Sequence, residues 1–257
     1  MSFVSLCGMC VLFLVIPFLM LSCQKKDEKV VDEKKLKVVT SLFPLYDFAK
    51  NIGMQKADVT LLLSPGVEPH SFEPKPVDIL KINEADFFVH TGRFMEPWVE
   101  DILKGIGGKG LLVIDSSRDI KFTEKDIESN PPPPPFSKGG MGGFSDGMDP
   151  HIWLDLPCAK KMVDNILGGF VKKDPVNKDF YLKNAEDYKA RLDELDKKFK
   201  DSLANCKKDV FIHGGHFAFG YLVKRYNLKY LSAYKGFSPD AEPTPRNLIE
   251  LSKKLKQ

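Results

Sequence analysis

The 257-residue chain has few cysteines, five in all: Cys7, Cys10, Cys23, Cys158 and Cys206. Three of them lie at or before Cys23, so no disulfide framework supports the remainder. Cys158 and Cys206 could form one bridge in an oxidising compartment; two buried free thiols is the simpler expectation. Charge of one sign is also missing. With 38 basic and 35 acidic residues, the net charge of +3 calls for neither nucleic acid nor a strongly acidic partner. No closely spaced Cys/His zinc-finger pattern and no His-Glu-x-x-His helix occurs. The N-terminal stretch 1–22 lacks Asp, Glu, Lys and Arg altogether. Its apolar run, "VLFLVIPFLML" (11–21), is short for a membrane span and suits a signal-peptide core, the other reading being an uncleaved N-terminal anchor.

Directly after that run comes "LSCQKKDEK", a small residue before Cys23 and then charge. This resembles a bacterial lipoprotein signal. It implies a signal peptide over 1–22, lipid on Cys23 as the first mature residue, and a charged tether over 23–35. The basic residues usual before such an apolar core are absent.

Beyond the tether, β-branched apolar runs alternate with helical patterns. "LKVVTSL" (36–42), "DVTLLL" (58–63), "DFFVHTG" (86–92) and "GLLVIDSS" (110–117) read as strands; "PLYDFAKNIG", "KPVDILKINEA" and "MEPWVEDILKG" read as helices. Such alternation predicts parallel βαβ units, hence an α/β lobe over 36–173. A Pro- and Gly-rich stretch, 130–147, interrupts it and is expected to be an exposed loop. Over 174–205, Tyr181, Ala185, Tyr188, Leu192, Leu195, Phe199 and Leu203 recur at spacings of three and four, the stripe of one long helix joining two lobes. Two more strand signals, "DVFIHGG" (209–215) and "LKYLSAY" (228–234), start a second α/β lobe over 206–257. Two strands are few for a lobe, so the expectation is a second lobe that is incomplete within this chain.

Five histidines are present. His70 lies in a loop stiffened by Pro65, Pro69, Pro74 and Pro76, beyond a strand's carboxyl end, where open α/β sheets bind ligands. His151 opens "HIWLD" directly behind Asp149–Pro150, and His216 follows the fifth strand at the start of a helical pattern. Positions 70, 151 and 216 are far apart along the chain, so spacing alone makes a weak case for a metal site. His213 could be an alternate ligand, or a donor behind the site, against the simpler expectation of a paired histidine near the core. His90 ends the third strand. Glu73 and Glu96 could orient a ligand imidazole, although a surface position is the expectation for both.

At these residues a resemblance becomes specific. "LFPLYDFAKNIG", "PGVEPHSFEPKPVDILKINEAD", "GRFMEPWVEDIL", "MDPHIWLDLPCAKKMVDNI" and "HFAFGYLVKRYNLKY…AEPTPRNLIEL" occur in order and resemble the zinc/manganese ABC-importer solute-binding proteins over nearly all of 36–257. The resemblance implies two lobes joined by a long helix, with a metal in the cleft between them. It implies His70 and His151 as ligands from the first lobe and His216 from the second. The family's fourth ligand, an acidic residue later in the second lobe, has no counterpart within this chain. Manganese members tend to carry Glu at the third position. His216, together with the preference of Zn²⁺ for imidazole and of Mn²⁺ for oxygen, therefore favours zinc, with manganese the alternative. The loop before His151, which in zinc members is often rich in His and acidic residues, contains no histidine here.

The resemblance further implies a monomer outside the cytoplasm, held by lipid in the periplasm or on the outer face of the cytoplasmic membrane, that gives its ion to a permease. It implies no enzymatic activity. Two other expectations remain open. Three histidines and a water would also suit a zinc hydrolase, and an interrupted gene would yield a non-functional product.

Overall fold

Four short runs of Val, Phe, Leu and Ile form one parallel sheet in the computed structural model, which describes residues 34–106, 110–121, 149–216, 218–234 and 243–256. The signal, Cys23 and the Pro/Gly stretch 130–147 lie outside the described residues. Strands β1 (Leu36–Thr40), β2 (Ala57–Leu61), β3 (Phe87–His90) and β4 (Leu112–Asp115) are ordered β2-β1-β3-β4. The chain steps from β1 to one side and then crosses to the other. Such a reversal leaves a crevice at the carboxyl ends of the central strands. Helices α1 (Phe43–Gly53), α2 (Pro76–Asn83) and α3 (Val99–Gly105) make the connections.

Helix α4 (Leu156–Lys173) was not among the elements expected from sequence pattern. Its start is nonetheless written locally. Asp155 caps the first turn by accepting from the Cys158 amide, and Pro157 sits where an amide would go unused. Ala159, Met162, Val163, Ile166 and Phe170 then bury one face against the sheet, Phe170 meeting Phe87 edge-on at 5.0 Å. Gly53, at the end of α1, permits close packing here: a Cβ would stand 2.5 Å from that of Ala57 and 2.8 Å from the Phe170 ring.

The long helix α5 runs Lys178–Ala204, 27 residues or roughly 40 Å. Its first half follows the expected stripe, with Tyr181, Ala185, Tyr188 and Leu192 buried. Tyr188 donates to Asp47 at 2.6 Å and Asn184 to the Ile52 carbonyl at 2.9 Å, pinning α5 to α1. The second half departs from it. Leu195 and Phe199 are exposed, while Asp196 is buried. The helix has run past the apolar cluster of the first sheet, and its inward contact becomes ionic.

A second, two-stranded parallel sheet pairs β5 (Val210–His213) with β6 (Lys229–Ser232), with α6 (Gly220–Arg225) between them and α7 (Pro245–Leu255) after them. Tyr221 of α6 belongs to the same hydrophobic cluster as the first sheet. Both cysteines in the described residues are free, but Cys206 is exposed rather than buried, and Cys158 is half-buried with burial pushing its thiol up to about 12. No helix among the described residues is long and apolar enough to cross a membrane.

Candidate metal centre

His70, His151 and His216 come together. One ring nitrogen from each lies within 4.8 Å of the others, and among the described residues this is the one such grouping of His, Cys or acidic side chains. Ring centroids are 5.7 Å apart for His70–His151, 6.5 Å for His70–His216 and 5.4 Å for His151–His216. His70 and His151 are buried and His216 partly so. The Nε2 atoms of His151 and His216 are 3.5 Å apart. Two nitrogens bound tetrahedrally to one zinc ion, each about 2.0–2.1 Å from it, are separated by about 3.3 Å.

Each histidine is placed by its own local structure. His70 lies in the loop between β2 and α2. Its ring lies against the backbone of Phe94 and Met95, and its amide donates to Glu68 Oε1 at 3.2 Å. Trp98 holds the neighbouring backbone, donating from Nε1 to the Pro69 carbonyl at 2.9 Å and meeting Phe72 edge-on at 5.1 Å. His151 is set by Asp149, whose Oδ1 accepts from the His151 amide at 3.0 Å and is 2.8 Å from its Nδ1. With Nδ1 protonated toward that carboxylate, the Nε2 lone pair is left to face His216. His216 follows β5 in a bend, four residues before α6 begins rather than at a helix start; Ser232 of β6 donates to the adjoining Gly215 carbonyl at 2.7 Å.

The electrostatics favour neutral imidazoles. Burial, followed by the charges that His151 and His216 would carry, lowers His70 from 6.5 to about 4. His216 is lowered too, by burial first and then by the charge His151 would carry. Neutral imidazoles whose lone pairs converge repel one another unless a cation lies between them, and at His70 and His216 a borderline metal ion can bind with little proton loss.

The other sequence candidates have different surroundings. His213 ends β5 with its ring 4.9 Å from Phe219, outside the cluster. His90 is buried at the end of β3, stacked on Phe88 at 5.9 Å. Glu73 is exposed. Glu96, expected at the surface, is completely buried. It accepts from Ser41 Oγ and from the amides of Thr91 and Gly92, so its carboxyl ties the turn after β3 to the end of β1 instead of touching an imidazole.

Two carboxylates at the site had not been expected from sequence. Asp149 takes the orienting role that was open to Glu73 or Glu96 as the alternative to a surface position. Its signal was the short Asp-Pro-His string, since an Asp side chain readily reaches the amide two residues on. The second is Glu68, whose Oε1 lies 3.9 Å from His70 Nε2.

Comparison with known proteins shows the family. Residues 38–257 match the family model described as zinc-uptake complex component A, periplasmic. The chain is 40% identical over 223 residues to the high-affinity zinc uptake system protein ZnuA of Bacillus subtilis, covering 87% of this chain and 68% of that protein. Among solved structures it resembles the metal-dependent lipoprotein YcdH from Bacillus subtilis, with TM-score 0.69, 39% identity and 86% and 75% of the two chains covered. It also resembles the Zn(II)-bound ZnuA-like domain of Streptococcus pneumoniae AdcA, with TM-score 0.67, 34% identity and again 86% and 75% coverage. With three histidines gathered at the crevice of a parallel α/β sheet and the family model matched from Val38 to the last residue, the chain belongs to the periplasmic zinc-uptake component A family of metal-importer solute-binding proteins.

Proposed function

We propose that this protein is the extracytoplasmic zinc-binding component of an ABC importer, with His70, His151 and His216 as the ligands of the transported ion. The observation that carries this reading is the convergence of three imidazole nitrogens within 4.8 Å, brought by segments far apart in the chain. The donor set is all nitrogen and largely sheltered, which suits Zn²⁺ better than the oxygen-seeking Mn²⁺. A fourth position is left for water or a carboxylate.

The N-terminal sequence supports export and a lipid on Cys23, and a similar solved protein is described as a lipoprotein. In this reading the lipid holds a monomer at the outer face of the cytoplasmic membrane or in the periplasm, within reach of a permease that accepts the ion. The protein performs no catalytic step; capture and release are its work. Because α5 is firmly attached to α1, release proceeds through small shifts of the loops around His216 rather than a wide hinge.

The test is metal-dependent stability. A ligand at roughly a thousandfold excess over its Kd adds about 4 kcal/mol to the folded state. Zinc is expected to raise the melting temperature of the metal-free protein clearly, and manganese much less at the same concentration. Equal shifts would remove the zinc preference, and no shift with either would remove the metal-binding reading. A second expectation concerns Asp149. Carboxylates that hold a ligand imidazole contribute about 10- to 100-fold in metal affinity, so Asp149→Asn should weaken zinc by that factor in a chelator competition. Unchanged affinity would mean that Asp149 does not set the His151 tautomer.

A further inference from the structure

We infer that Arg225 is a positioning residue for the third histidine: its guanidinium joins the His151 turn, the long helix and α6, and so holds His216 opposite His151. The inference rests on the metal-ligand reading above. Arg225 ends α6, nine residues after His216. Its Nε and Nη2 donate to the two oxygens of Asp196 on α5, at 2.8 and 2.6 Å. Its Nη1 donates to Asp155 Oδ1 at 3.2 Å. Asp155 is only four residues past His151 and is the cap of α4. One side chain thus closes a short circuit, from His151 along its turn to Asp155, across to Arg225, and back through α6 to His216.

The geometry is specific to a guanidinium. A planar fork can meet one carboxylate with two parallel bonds and still offer a third donor to another; an ammonium cannot fix both orientations. All three side chains are mostly shielded, with 19% of Arg225, 13% of Asp196 and 18% of Asp155 exposed. Lys200 and Tyr226 also donate to Asp196, at 2.8 and 3.0 Å. The ion pair holds the Asp196 carboxyl well below the usual carboxylate range.

The two anchors of α6 connect this pairing to the ion. Tyr221 buries its ring in the main cluster and holds the helix down. Arg225, one turn later, is directional. Metal–ligand distances tolerate only about 0.2 Å, so a small rotation of α6 moves His216 out of range while His70 and His151 stay in place.

A double-mutant cycle on zinc affinity separates positioning from general weakening. Arg225→Gln is expected to lower affinity about 10- to 100-fold in the otherwise unchanged protein, as loss of an orienting partner does, and by less than about twofold when His216→Ala is already present. Arg225→Lys should show a smaller loss with the same dependence on His216, and it decides the matter if the Gln variant does not fold. Equal losses in both backgrounds, or no loss in the first, would overturn the inference and leave the ligand assignment standing. His216→Ala alone is the control for that assignment: if it binds zinc as tightly as the unchanged protein, the ligand reading itself fails.

Discussion

Replacing any one of His70, His151 or His216 by alanine is expected to weaken zinc binding about a hundredfold or more. Zinc sites with four protein ligands contribute about 10–16 kcal/mol, so each ligand carries roughly 3–4 kcal/mol, or two to three decades in Kd. The imidazoles here are sheltered and preset. His151 is held by Asp149, and His70 is neutral well below neutral pH because burial and its two neighbours disfavour the charged ring. Little ordering is left for the ion to drive at His151 and little deprotonation at His70, so most of a ligand's contribution disappears when it is removed. Removing a ring from the cluster also relieves lone-pair repulsion, so the metal-free variants should lose no more than about 1–2 kcal/mol of stability, a typical value for a single substitution. His213→Ala and His90→Ala are the matched controls and should change zinc affinity by less than about threefold, since neither ring belongs to the cluster. Competition with a chromophoric chelator measures all five. The same affinity in the three cluster variants as in the two controls would refute the site.

Glu96→Ala is expected to cost about 3 kcal/mol of folding stability, although residue 96 contacts no imidazole. Its carboxyl is completely buried and accepts from a hydroxyl and two backbone amides. Truncation would leave these donors buried without a partner, at about 1–3 kcal/mol each before relaxation. The donors come from the residues after β1 and after β3, so the carboxyl bridges the ends of two adjacent parallel strands beside the crevice. The effect should also depend on pH. Burial, only partly offset by the three donors, raises Glu96 from 4.5 to about 7. A group raised in the folded state contributes its full stabilisation below its unfolded value and loses it as pH rises through the folded one. The gap between the unchanged protein and Glu96→Ala should therefore be wider at pH 5 than at pH 8. Urea unfolding at the two values measures it, and a gap that is equal or wider at pH 8 would contradict this account.

These two predictions differ in how far the sequence foresaw them. The four first-sheet strands, the three helices between them and the long α5 were legible from periodicity and from their Gly, Pro and Asp boundaries. All of these signals are local. The three histidines were also named in advance, but on resemblance. Positions 70, 151 and 216 stand too far apart along the chain to form a local pattern. Glu96 was misplaced because a Glu between Met and Pro looks like any surface carboxylate; its burial depends on two amides and a hydroxyl arriving from other segments. Asp196 was overlooked for the same reason. It lies beside an apolar stripe, and only the approach of Arg225 from α6 makes burying it tolerable.

The sequence by itself determined the order of elements apart from α4, the parallel α/β architecture, the long helix α5 and which side chains could bind a metal. Hydrophobic period, capping and turn chemistry operate over a few residues, so a few residues suffice to reveal them. Only the tertiary structure decided which side chains actually meet. The 4.8 Å grouping of His70, His151 and His216, the burial of Glu96 under donors from two strand ends, and the hold of Arg225 on Asp155 and Asp196 are products of packing. Each depends on where a distant segment comes to rest, and that position reflects the burial of the whole core rather than any stretch of sequence near the site.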